Sequence, residues 1–150
     1  MTYAHILVAT DGSDLADRAL DQAIVLAKTL NSDVTVVTVS EPASAVGAGY
    51  YAGTGYIGNP IPGLIEAQEK AAKDLLDKAE AKVKAAGVPV KTVYVNDSFP
   101  AEGIVVTAEK LGSDLIVMGS HGRRGVGRLL LGSQTSNVLA QTTTPVLVTR

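Results

Sequence analysis

The chain has 150 residues, of which 46% are hydrophobic and 19% charged; this fits one domain over 1–150 with a single core and excludes disorder by composition. A formal net charge of −2 supplies no global field for DNA, RNA or an anionic membrane surface, so nucleic acid is not an expected partner. With no Cys, disulfides, thiolate metal sites and cysteine nucleophiles are excluded.

The opening Met1-Thr2-Tyr3-Ala4-His5 lacks a basic region followed by an apolar stretch, so no signal peptide is expected. The longest apolar runs, such as 115–118, are far too short to span a bilayer, and a cytoplasmic location without membrane insertion follows as the expectation. Aromatic residues are only 4%, so Val, Leu, Ile and Ala must build the core, a composition suited to helices on a buried sheet.

A first strand is predicted over 5–9, followed by a helix with Ala16, Ala19, Leu20, Ala23, Ile24, Ala27 and Leu30 on one face. Ser13 or Asp14 opens that helix and Asn31 ends it. A second strand over 33–39 leads into residues 40–62, rich in Gly and interleaved with Tyr50, Tyr51 and Tyr56. That stretch reads as a long loop, either a mobile surface insertion or a lid over a ligand.

A second helix follows over about 63–86, with Leu64, Ala71, Leu75, Ala79 and Val83 at helical spacing and Gly87 at its C-terminal end. A third strand over 88–95, a helix over 101–111 closed by Gly112, a fourth strand over 114–118, a helix over 133–141 and a fifth strand over 145–149 complete the pattern. Strict alternation of strand and helix calls for right-handed crossovers and a parallel, doubly wound α/β sheet.

In such sheets ligands sit beyond the carboxyl ends of the strands, where the strand order reverses. Five strands can run 2-1-3-4-5 or 3-2-1-4-5; the second places the reversal between strands one and four. Because glycines concentrate after strand four, the order 3-2-1-4-5 is expected, with four helices.

The loop after strand one is Ala9-Thr10-Asp11-Gly12-Ser13, and the loop after strand four begins Gly119-Ser120-His121-Gly122-Arg123-Arg124. Gly119, Gly122 and, after a nine-residue spacer, Gly132-Ser133 read as a phosphate cradle. Glycines let backbone N–H groups approach an anion, some of them at positive φ, and the start of the last helix favours negative charge. Ser133 and Thr135 can add hydroxyl donors, while Arg123, Arg124 and Arg128 bring cations into the same loop. The competing account of these residues is a surface turn with solvated arginines.

Asp11 is open to three roles: a helix cap, a ribose contact or a metal contact, since a carboxylate beside phosphates needs a hydroxyl or cation between them. His121 is either a ligand contact or a solvated loop residue, and His5 on strand one reads as structural.

The run 118–122, the spacer and Gly132-Ser133-Gln134-Thr135-Ser136-Asn137-Val138 resemble the ATP-binding branch of the universal stress protein family. The resemblance extends to Thr10-Asp11-Gly12-Ser13, the variable loop after strand two and the closing Pro145-Val146-Leu147-Val148. It implies that Ala9, Thr10 and Asp11 face a nucleotide and that Val39 meets the adenine. By the same resemblance Met118, Gly119, His121, Gly122 and Arg123 line the ribose and phosphates, and Gly132, Ser133, Gln134 and Thr135 hold the phosphate tail. Ala9 stands where many relatives carry Pro, at a position that contributes mainly backbone.

The implied cofactor is ATP, which Mg²⁺ or Mn²⁺ can accompany, and the implied assembly is a homodimer through the C-terminal strand, whose apolar edge invites pairing. The expected activity is that of a sensor or regulator of an unidentified protein partner, with weak or no ATP hydrolysis. There is no Gly-x-x-x-x-Gly-Lys-Ser/Thr loop and no carboxylate cluster of the kind phosphoryl transfer uses. The alternatives are a dimeric interaction module that binds no nucleotide, a phosphoacceptor receiver domain using Asp11 and Asp97, and a substrate-adenylating enzyme. The receiver lacks an acidic neighbour to its first aspartate, and the adenylating enzyme lacks a substrate domain.

Overall fold

The computed structural model describes residues 3–46, 61–122 and 131–150. Within them strands β1 (His5–Ala9), β2 (Asp33–Val39), β3 (Val90–Val95), β4 (Leu115–Gly119) and β5 (Val146–Thr149) alternate with helices α1 (Asp14–Leu30), α2 (Leu64–Ala85), α3 (Pro100–Leu111) and α4 (Ser133–Gln141). A further helical turn begins at 43–46. Most of the glycine- and tyrosine-rich stretch, including Tyr50, Tyr51 and Tyr56, lies outside the described residues, as do Arg123, Arg124 and Arg128.

The five strands form one parallel sheet in the order β3-β2-β1-β4-β5, as the glycine placement predicts. The order also disposes of the receiver alternative, whose 2-1-3-4-5 sheet sets strand three beside strand one. Here β2 separates them, and Asp97 is exposed at φ +54.

Side chains of β1 alternate between two cores, as the period of a strand demands. Ile6 and Val8 pack with Ala19, Leu20, Ala23 and Ala27 of α1 and Leu76, Ala79 and Val83 of α2. Leu7 and Ala9 pack on the other face with Ala101, Ile104, Val105 and Ala108 of α3 and Val138 of α4. The central strands are therefore rich in buried apolar residues on both faces.

The predicted ends hold closely. Ser13 caps α1 through its hydroxyl, Asn31 ends it at φ 58, and Gly112 ends α3 at φ 63. The third strand starts later than its pattern, at Val90, because Pro89 offers only its carbonyl, to Val34 N–H at 2.9 Å. Asp114 precedes β4, and its carboxylate accepts from the Ala4 and His5 amides at 2.8 and 3.0 Å. The imidazole of His5 is on an exposed residue, so the tie at this position runs through its backbone.

One face is corrected. The buried stripe of α2 is Ala72, Leu76, Ala79 and Val83, whereas Ala71 is exposed and Leu75 half-buried. Ala71-Ala72 and Leu75-Leu76 are adjacent apolar pairs, and the approach of the helix to β2 and β3 selects the second of each. Among the described residues no helix is long and apolar enough to cross a membrane.

Candidate functional site

The strand order reverses between β1 and β4, and the loops leaving these two strands meet there. The first loop is closed by its own side chains. Thr10 N–H prolongs the β1–β2 ladder to Val37 O at 2.9 Å, and Thr10 Oγ1 accepts from Gly12 N–H at 3.2 Å. Gly12 turns at φ +78, a conformation that glycine adopts without a Cβ clash. Asp11 Oδ1 accepts from Ser13 N–H at 2.9 Å, and Ser13 Oγ accepts from Ala16 N–H at 3.2 Å. The cap is thus Ser13, and Asp11 holds the turn before it.

The second loop is built differently. Ser120 N–H reaches Thr149 O and Gly132 N–H returns to Ser120 O, both at 2.8 Å, so the start of α4 is docked on the end of β4. The Thr135 hydroxyl, on a residue only 2% exposed, donates toward Gly119 O and Ser120 O at 2.9 and 3.2 Å. That proton is committed to fixing the loop, which corrects the expectation of a free hydroxyl donor at this position.

The glycines in this stretch serve close approach. A Cβ on Gly122 would stand 2.6 Å from Asp11 Oδ2, one on Gly132 would stand 2.9 Å from Ser120 O, and one on Gly119 would meet Leu15 Cβ at 3.0 Å. None of the three is among the glycines at positive φ, so among the described residues the cradle needs their small size and not a left-handed backbone.

Among the described residues no side chain caps α4, and its first turn carries no acidic residue. The other helices have Asp14 and Asp17 in α1, Glu66 in α2 and Glu102 in α3 in their first turns. The first-turn amides of α4, with the positive end of the helix dipole, therefore remain for an external acceptor. Nearby, His121 Nδ1 lies 3.1 Å from Ser120 Oγ, while its Nε2 is buried without a partner among the described residues. An orphaned buried nitrogen of this kind can donate to or accept from a ligand.

These elements surround a cleft of about 510 Å³ lined by Ala9, Thr10, Asp11, Val39, Met118, Gly119, His121, Gly122, Gly132, Ser133, Gln134 and Thr135. The size suits a small-molecule ligand. All the sequence-predicted site residues except Arg123, which lies outside the described residues, are thus brought together. The cleft adds Ala16, Val37, Glu41, Pro100, Ile104 and Leu131, which sequence reasoning missed. Val37, Val39, Pro100, Ile104 and Met118 give it an apolar wall from β2, α3 and β4; the two loops and α4 give it a polar one. Among the described residues no group of three or more His, Asp or Glu side chains is placed to hold a metal ion.

The family model for the universal stress protein family matches residues 2–150. A universal stress protein of Bacillus subtilis, YxiE, is 34% identical over 99% of this chain and 99% of its own length. The chain belongs to the universal stress protein family. Among solved members, MJ0577 of Methanocaldococcus jannaschii superposes with a TM-score of 0.81 at 29% identity, covering 99% of this chain and 96% of that one. A universal stress protein in complex with cAMP superposes with a TM-score of 0.68 at 28% identity, covering 100% and 98%.

Proposed function

We propose that this universal stress protein binds an adenine nucleotide, ATP, in the cleft between the β1 and β4 loops and acts as a nucleotide-dependent sensor or regulator. The observation that carries the reading is the acid-free start of α4, without a capping side chain among the described residues, which lines the same cleft as an apolar wall of Val37, Val39, Pro100, Ile104 and Met118. The family member in complex with cAMP supports the ligand class.

In this reading the first-turn amides of α4, at Ser133, Gln134 and Thr135, meet the phosphate tail, with the Ser133 hydroxyl as a further donor and Arg123 as the cation of the loop. The base lies against Val39 and Met118, and Gly119, His121 and Gly122 flank the ribose and phosphates. Asp11 receives either a ribose hydroxyl or a divalent ion that travels with the phosphates, since its charge beside bare phosphates is repulsive. A Mg²⁺ titration distinguishes the two, because only the second makes ATP affinity depend on both Asp11 and the ion.

The assembly proposed is a homodimer through β5. Among the described strands β5 is at one edge of the sheet and exposes Leu147, whereas the opposite edge, β3, exposes Lys91, a charged side chain that discourages pairing. Sedimentation of the wild type and of Leu147→Glu tests this, with a dimer expected for the first and a monomer for the second.

Isothermal titration with ATP and Mg²⁺, alongside Gly122→Val, tests the binding itself. Saturable binding that the folded variant loses is expected, because the added side chain enters the 2.6 Å gap to Asp11. A folded wild type that takes up no ATP, ADP or AMP overturns the nucleotide reading and leaves a dimeric interaction module in its place.

A further inference from the structure

Gly103 lies inside α3 and is buried, although glycine is the poorest helix former after proline and an interior glycine calls for a packing reason. The reason is on β2. A Cβ at Gly103 would stand 2.9 Å from both methyl carbons of Val39 and 3.3 Å from Ser98 Oγ. The backbone of Val39 cannot retreat without breaking the ladder, since it pairs with Val95 and the following Ser40 N–H donates to Val95 O at 2.9 Å. Its side chain, β-branched and stiff at χ1, packs against the core on the α3 and α4 face of the sheet and also lines the cleft. Pro100 and Ile104, which flank Gly103 on α3, line the same cleft.

We propose that Gly103 is a positioning residue for the base-binding wall: by lacking a side chain it lets Val39 sit back against α3, and so sets the width of the slot that admits a purine. The inference rests on the nucleotide reading above and deepens it, because it assigns ligand selection at the apolar wall to a residue that touches no ligand. Any side chain at this position drives Val39 forward and narrows the slot, while the α4 amides that take the phosphates keep their places.

The test is a double-mutant cycle of Gly103→Ala and Val39→Ala, with ATP titrations and thermal melts on all four proteins. Gly103→Ala is expected to weaken ATP binding about tenfold in the wild-type background and by less than about twofold in the Val39→Ala background, the signature of overpacking relayed through one side chain. The melts check the contact without a ligand: Gly103→Ala should melt below wild type although alanine is the better helix former, and adding it to Val39→Ala should raise the melting temperature. If the wild type binds ATP and Gly103→Ala either binds it equally or loses affinity to the same extent in both backgrounds, Gly103 does not act through Val39 and the inference is overturned. If the wild type binds no adenine nucleotide, the nucleotide reading fails first and the role in purine selection falls with it, and the melts then report only a packing contact.

Discussion

The N-termini of α1 and α4 both point to the carboxyl edge of the sheet, yet they are finished in opposite ways. Helix α1 is closed by Ser13, braced by Asp11 and neutralised by Asp14 and Asp17. Helix α4 has no acid in its first turn and, among the described residues, no capping side chain, and its loop is held from beneath by Thr135 and Gly132. A helix start that only needs stability takes a capping side chain or an acid in its first turn, as α1, α2 and α3 do, whereas one that must receive an anion leaves its amides uncovered and stabilises the loop elsewhere. Under the proposed function, the contrast separates a structural terminus from a binding one within a single sheet edge.

The largest expected effect comes from removing the support under α4. Thr135→Val leaves the Gly119 and Ser120 carbonyls without their hydroxyl donor in a buried spot, which should cost about 2 kcal/mol of stability in denaturant unfolding and weaken ATP binding as the loop loosens. The next largest effect comes from making α4 resemble α1. Gln134→Glu places a carboxylate in the first turn and should lower ATP affinity about tenfold while raising stability by a few tenths of a kcal/mol, by roughly the same helix-dipole interaction. Affinity and stability moving in opposite directions is the outcome that a purely structural terminus would not give.

Making α1 resemble α4 is the reciprocal change. Ser13→Ala should cost about 1 kcal/mol of stability, measured by thermal or urea unfolding, through loss of the cap to Ala16. The smallest effect is expected on the exposed face of α2, where Lys70 pairs with Asp74 and Lys73 with Asp77 in the less favourable order of charges. The hydrogen bond from Lys70 holds the Asp74 carboxyl below its ordinary value, so the pair contributes above the unfolded carboxyl's pKa and fades as pH falls through the folded one. Lys73 is raised by its hydrogen bond to Asp77, so its contribution is present below the unfolded lysine's pKa and fades as pH rises through the folded one. Lys70→Ala should therefore leave the neutral-pH melting temperature within measurement error of wild type, and any difference should vanish in acid.

Most of the fold was legible because each element carries its own punctuation: Ser13 and Asn31 bound α1, Gly112 ends α3, and buried strands read as apolar runs. The loops after β1 and β4 were legible for the same reason, since their glycines and short polar residues stand out between those runs. What periodicity left open was the choice within adjacent apolar pairs on α2, which only the sheet beneath the helix decides. Glu41, Pro100 and Ile104 carried no local signal of a site, because they reach the cleft through the packing of β2 and α3. The glycines of the β4 loop were visible, but their reason was not: the described ones make room for Leu15, Asp11 and Ser120, contacts that no spacing in the chain reveals.

In the proposed site the phosphates lie at the start of α4. Amide NMR shifts recorded with saturating adenosine and then with saturating ATP test it most directly, because the difference between the two isolates the phosphates. The phosphate-dependent shifts should concentrate on the amides of Ser133, Gln134 and Thr135 and spare the capped Ala16 amide. Phosphate-dependent shifts that concentrate on the first turn of α1, with the α4 amides unmoved, would contradict it.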